Sequence, residues 1–166
     1  MTSSIFTRTS VRKYADRPVE QEKTEYMLKA AMQAPSAGNQ QPWEFYVITN
    51  KEVLEKLSHI SEFSQPAGRA PVAILTVMHA TGMPYQNVAP VDMSICTEHL
   101  WLACDEMGLG GVWVGVAPFA DRIAKVREIM DLPEDLMPFS IFAYGYAEKV
   151  RPQKDRFDES RIHYIR

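Results

Sequence analysis

Apolar positions along the chain switch between helical and alternating spacing, and the switch points predict its elements. Pro18-Val19-Glu20 opens a helix to about Gln33, with acids in the first turn where the dipole favours them and Met27, Ala30, Ala31 and Ala34 on a small-residue face. Glu44-Phe45-Tyr46-Val47-Ile48-Thr49 reads as a strand. Asn50 caps a short amphipathic helix from Lys51 to His59 that turns Val53, Leu54 and Leu57 inward. Residues 61–69 read as irregular. Pro71 to Met78 is apolar on both faces, the mark of a central strand. His79 to Ala89 contains Gly82, Pro84 and Asn87 with few core residues, and reads as a mobile connection serving as a lid or as plain linkage.

Pro90 to Met107 is a helix apolar nearly all round, from Val91, Met93, Ile95 and Cys96 to Leu100, Trp101, Leu102, Ala103 and Met107. Such a helix needs cover on every side, and in a chain this small a second subunit is one source of it. Gly108 ends the helix as a C-cap and leads into a short strand through Gly110-Gly111-Val112-Trp113-Val114-Gly115. This glycine-rich run is no P-loop, because it lacks GK[ST] and follows a helix. Trp113 stands where a dinucleotide fold needs its third glycine. Pro118 to Met130 is a further helix, burying Ile123, Val126, Ile129 and Met130, and Phe139 to Tyr146 is the last strong strand.

Composition narrows the function classes. The 166 residues predict one domain, 1–166, with a core of its own. Eighteen basic against 21 acidic residues give a net charge of −3, which offers no global field for nucleic acid or an anionic membrane. No apolar run is long enough to span a bilayer, and the first residues lack a signal pattern, so a cytoplasmic location is expected. Cys96 and Cys104 lie eight apart on one helix, too far for a disulfide, and read as packing residues. His59, His79, His99 and His163 are scattered, so no metal site is expected.

The charges are unevenly placed. Ten of the 18 basic residues fall in two terminal windows, four in 8–17 and six in 149–166. Arg8-Thr9-Ser10-Val11-Arg12 combines guanidinium forks with hydroxyls, the donor set that suits phosphate oxygens. A phosphate between the windows would account for both. Ala34-Pro35-Ser36-Ala37-Gly38-Asn39-Gln40-Gln41-Pro42-Trp43 is a stiff, uncharged loop of hydroxyl and amide groups, fit either to connect a helix to a strand or to meet a flat polar heterocycle.

Taken in order, four segments resemble the FMN-dependent nitroreductase family, as a small single-domain member: Arg8 to Arg12, Pro35 to Trp43, Gly108 to Gly115, and Lys154-Asp155-Arg156-Phe157. The resemblance implies an α+β fold, three-layer α/β/α, with a mixed, mostly antiparallel sheet flanked by helices, in an intertwined homodimer with FMN at the interface. Arg8, Ser10 and Arg12 would hold the phosphate and the polar edge of the flavin, with Thr9 adding a backbone contact. Lys154 and Arg156 would close over the phosphate, with Arg151 the alternative if the tail alignment slips. Pro35, Ser36, Ala37 and Asn39 would line the ring and ribityl chain of the flavin held by the other subunit. Val112, Val114 and Gly115 would back one ring face and offer N–H groups near N5 and O4.

The implied reaction carries two electrons from NAD(P)H through flavin N5 to a nitroaromatic, quinone or similar small-molecule acceptor, in ping-pong fashion and with no catalytic side chain. The same scaffold also serves dehalogenation, flavin breakdown and heterocycle dehydrogenation, and a non-catalytic flavin-binding module is a third reading. The chain lacks the helical excursion that larger members place over the substrate, which leaves residues 60–69 and 79–89 as substrate-side walls.

Overall fold

A long buried helix and the sheet behind it set the architecture. The computed structural model describes residues 3–150 and 152–166. In chain order the elements are α1 (Ser4–Thr7), α2 (Gln21–Met32), β1 (Trp43–Ile48), α3 (Lys51–Leu57), α4 (Pro66–Arg69), β2 (Val72–His79), α5 (Ala89–Glu106), β3 (Gly110–Gly115), α6 (Ala120–Met130) and β4 (Leu136–Gly145).

The four strands run β1-β2-β4-β3, each antiparallel to its neighbour. The parallel contact is an isolated bridge from Ser10 to Gly111. Alternation along each strand splits the core in two. Val72, Ile74, Met78, Phe142 and Tyr144 pack with α2 and α5 on one face. Ala73, Leu75, Val77, Ile141 and Ala143 pack with α3, α4 and α6 on the other. This is the expected three-layer α+β arrangement. The register shifts between Thr76 and Val77 opposite β4, which leaves Phe139 unpaired and turns it to the same core as Phe142.

Several boundaries move for local reasons. The second helix begins at Gln21, because Glu20 is still extended (φ −66°, ψ 138°). Residues 61–69, expected to be irregular, contain α4, with Pro66 pre-set for a first helical turn. The 79–89 connection, expected to be mobile, is tied down. Gln86 donates to the His79 carbonyl (2.9 Å), accepts from the Met83 N–H (3.3 Å) and starts a 3₁₀ turn through Val88.

Cys96 and Cys104 are fully buried, and desolvation pushes the Cys96 thiol up to about 12, so both act as packing groups. Polar groups inside the core are paired across layers. Thr76 and Ser140 share a hydroxyl bond of 2.8 Å, and Thr24 shares one of the same length with the fully buried Tyr144. Tyr144→Phe leaves the Thr24 hydroxyl without that partner. Thermal unfolding should show a loss of about 1 kcal/mol, roughly 2–4 °C in Tm. No change would mean that Thr24 turns to another acceptor.

Candidate functional site

The outer edge of β3 is where the segments flagged in the sequence meet. Because β3 ends the sheet, one side of its backbone is not used by β4. The Val11 N–H donates to the Gly111 carbonyl at 2.9 Å and lays residues 8–12 along that edge. A Cβ at Gly110 would come within 2.5 Å of Val11 Cγ2, so glycine allows the close approach. Tyr14 pins the same segment from below, donating to the carbonyls of Val11 (2.9 Å) and Ala143 (3.0 Å), and its burial raises its pKa. The tail reaches this segment too, because Gln153 Nε2 donates to the Arg8 carbonyl at 2.7 Å.

Between these walls lies a cavity of about 840 Å³ lined by Arg8, Thr9, Ser10, Arg12, Lys13, Lys149, Lys154 and Arg156, with Glu148 the one acid among its described lining residues. The two basic windows therefore converge in space. Arg151 lies outside the described residues.

Arg8 differs from the other cations. Its side chain is only 15% exposed and its guanidinium sits 4.1 Å above the Trp101 ring. Glu98 stands 3.9 Å from Nε, at the limit of an ion pair, and burial raises the Glu98 carboxyl pKa while Arg8 lowers it. Arg8 Nη1 is buried with no hydrogen-bond partner among the described residues. A guanidinium held this way lacks an acceptor. Arg8 lines the cavity together with five other basic side chains, so the residues present fit a phosphate-bearing cofactor.

Arg12 also lines a second cavity, of about 480 Å³, that continues along β3 past Val112, Trp113, Val114 and Gly115. Val112 and Val114 bury their side chains in the core, each 4% exposed. By alternation, Trp113 and Gly115 turn their backbone groups to the open edge, where Arg122 donates to the Gly115 carbonyl at 2.9 Å. Phe63, Gln65, Arg69 and Phe119 complete the wall. Phe63, Gln65 and Arg69 fall in the 60–69 span expected as a substrate-side wall, though none was named individually, and Phe119 was not singled out.

The loop holding Pro35, Ser36, Ala37 and Asn39 lines neither cavity. It is fastened near the start of α5, where Asp92 accepts from the Ala37 N–H (3.0 Å) and from Gln40 Nε2 (2.6 Å). Trp101, under Arg8, lies about 13 Å further along the same helix. Within one subunit the loop and the basic cavity are thus separate. Among the described residues no cluster could hold a metal ion, and no helix is long and apolar enough to cross a membrane.

Comparison with known proteins agrees with this geometry. The chain matches the profile of the Nitroreductase family over residues 5–81 and 64–146. It is 39% identical over 164 residues to an Archaeoglobus fulgidus protein named "Putative NADH dehydrogenase/NAD(P)H nitroreductase", covering 96% of this chain and 94% of that one. Among solved structures, a Clostridium acetobutylicum protein described as "Putative NADH Oxidase" superposes with a TM-score of 0.95 at 38% identity, over 99% of both chains. An FMN-dependent nitroreductase from Clostridium difficile superposes with a TM-score of 0.91 at 28% identity, over 100% of this chain and 99% of that one. The fold and these matches define an α+β protein of the nitroreductase type. The chain belongs to the Nitroreductase family.

Proposed function

We propose that the chain is a cytoplasmic FMN-dependent oxidoreductase that passes two electrons from NAD(P)H to a nitroaromatic, quinone or similar acceptor, working as a homodimer with flavin at the subunit interface. The observation that carries the reading is the convergence of basic side chains from both ends of the chain on one cavity. The FMN-dependent relative supports the choice of cofactor. When bound, FMN supplies the electron transfer.

The chain's own residues bind and orient. Arg8, Ser10, Lys154 and Arg156 hold the phosphate, and Thr9 contributes through its backbone. Arg12, shared by both cavities, would hold the phosphate and the polar edge of the flavin. The open-edge N–H groups of β3, centred on Gly115, would donate to the ring and stabilise negative charge on it. Val112 and Val114 support that strand from the core side. No side-chain acid or base is required.

Exposed apolar side chains support the dimer. Ile5, Phe6 and Val91 are 57–72% exposed, and Val150, Phe157, Tyr164 and Ile165 are 73–100% exposed on a tail that buries none of its described residues. A second copy covers these and brings its loop, with Pro35, Ser36, Ala37 and Asn39, to the flavin of the first.

The test is anaerobic titration of FMN-loaded protein with NADH and then NADPH. One nucleotide should bleach the flavin band, and a nitroaromatic or quinone should restore it. Protein that stays colourless and monomeric after incubation with FMN overturns the reading. A smaller effect is expected at the exposed end of the phosphate site: Arg156→Ala should raise the FMN Kd by about 2- to 10-fold, more at low salt. Equal flavin content in that variant would remove Arg156 from the site.

A further inference from the structure

The loop from Ala34 to Trp43 is held in a costly shape. Gly38, Asn39 and Gln41 have φ of +54°, +56° and +47°. Asparagine tolerates that left-handed region, whereas glutamine gains nothing there, and such strain persists only where surrounding groups over-determine it.

Those groups are Asp92 and Gln40. Asp92 is 4% exposed, and its two oxygens are divided between the Ala37 N–H and Gln40 Nε2. Gln40 in turn reads the backbone of Tyr85 as a strand would: Oε1 accepts from the Tyr85 N–H at 3.0 Å and Nε2 donates to the Tyr85 carbonyl at 3.2 Å. The Tyr85 ring then closes over Gly38, so tightly that a Cβ on Gly38 would collide with it. Loop and connection form one body although 45 residues separate Gln40 from Tyr85. The ring remains 54% exposed.

We propose that Asp92 and Gln40 are a positioning pair that fixes the loop and the Tyr85 ring as a single wall of the flavin site, with Tyr85 presenting an aromatic face to a planar acceptor. This rests on the reading above that the loop reaches flavin held by the second subunit. Asp92 is the only group in the set that can accept from both donors at once. In Asp92→Asn one of the two oxygens becomes an NH₂ donor. Gln40 can meet it only by flipping its amide, and a flipped amide opposes donor to donor and acceptor to acceptor at Tyr85. In Asp92→Asn combined with Gln40→Glu, the carboxylate introduced in the loop accepts both from the amide introduced on α5 and from the Tyr85 N–H, and the exposed Tyr85 carbonyl turns to water.

The experiment titrates FMN into apoprotein by fluorescence quenching, for wild type, Asp92→Asn, the double variant, Gln40→Ala and Tyr85→Ala. Asp92→Asn and Gln40→Ala should each raise Kd by about tenfold, the cost of one mispaired hydrogen-bonding group, and the double variant should recover most of that loss. Tyr85→Ala should raise KM for a quinone or nitroaromatic by a larger factor than it raises the FMN Kd, and an unchanged KM overturns the assignment of Tyr85 to the acceptor wall. FMN bound equally by wild type, Asp92→Asn and Gln40→Ala overturns the inference alone, as does a double variant no better than Asp92→Asn. Wild-type protein that binds no FMN overturns the functional reading and this inference with it. Should Asp92→Asn not fold, Gln40→Ala, which removes no buried charge, decides the question.

Discussion

Arg8→Ala should yield a folded protein that purifies pale. Arg8 lines the main cavity, and a charge-assisted bond from it to phosphate would contribute about 1.5–3 kcal/mol, so the FMN Kd should rise by roughly 10- to 150-fold. Stability should behave differently. The substitution gives up the stacking on Trp101, an interaction of about 0.5–2 kcal/mol. It also removes a charge whose one ion-pair contact among the described residues is Glu98 at 3.9 Å, and that carboxylate, 46% exposed, is left to solvent at little cost. Flavin affinity should therefore collapse while the Tm of the apoprotein stays within a few degrees. Calorimetric binding beside differential scanning checks both, and an unchanged Kd would put the phosphate elsewhere.

Phe142→Ala should have the largest effect on the fold. Phe142 is fully buried in β4, stacks with Tyr144 (ring centroids 5.9 Å apart) and meets Trp101 edge-on at 5.8 Å. Its ring also lies directly under Gly111, where any Cβ would strike it. Truncating a packed phenylalanine costs about 3–5 kcal/mol, which in a chain of this size lowers Tm by roughly 6–20 °C. Because Trp101 carries Arg8, the void should loosen the cation's seat, and FMN affinity should fall with stability. A Tm drop of only a degree or two would show that neighbouring side chains collapse into the space.

These two residues mark what could and could not be read from the chain. The meeting of the two basic windows was legible because charge clustering survives without coordinates: like charges gathered at opposite ends point to a shared partner, and the fold joins the windows through Gln153 and the Val11 pairing. The layers were legible because Pro71 to Met78 and Phe139 to Tyr146 are apolar on both faces, which only a covered sheet explains. Strand parity was less accessible. Which residues of β3 turn their amides outward depends on pairing with β4, and pairing that places Val116 N–H on Phe139 sends Trp113 and Gly115 to the open edge. Asp92 was hidden for another reason: an acid in the first turn of a helix already has a sufficient role in offsetting the dipole. Nothing local tells that its carboxylate is buried against a loop more than fifty positions earlier. Gln40 was read as one more amide offered to a heterocycle, whereas both ends of that amide are already engaged by Tyr85 and Asp92.

The arrangement of the main cavity has a bearing on biosynthesis. Its walls come from residues 8–13 and 148–156, so the first half of the anion cradle is translated before any strand and the second half directly after β4. A nascent chain emerging from the ribosome cannot retain a phosphorylated ligand at this position until the last basic residues have cleared the exit tunnel. Charging with cofactor is thereby deferred until residues 148–156 have emerged, just behind β4, the strand that joins β2 to β3 and completes the sheet.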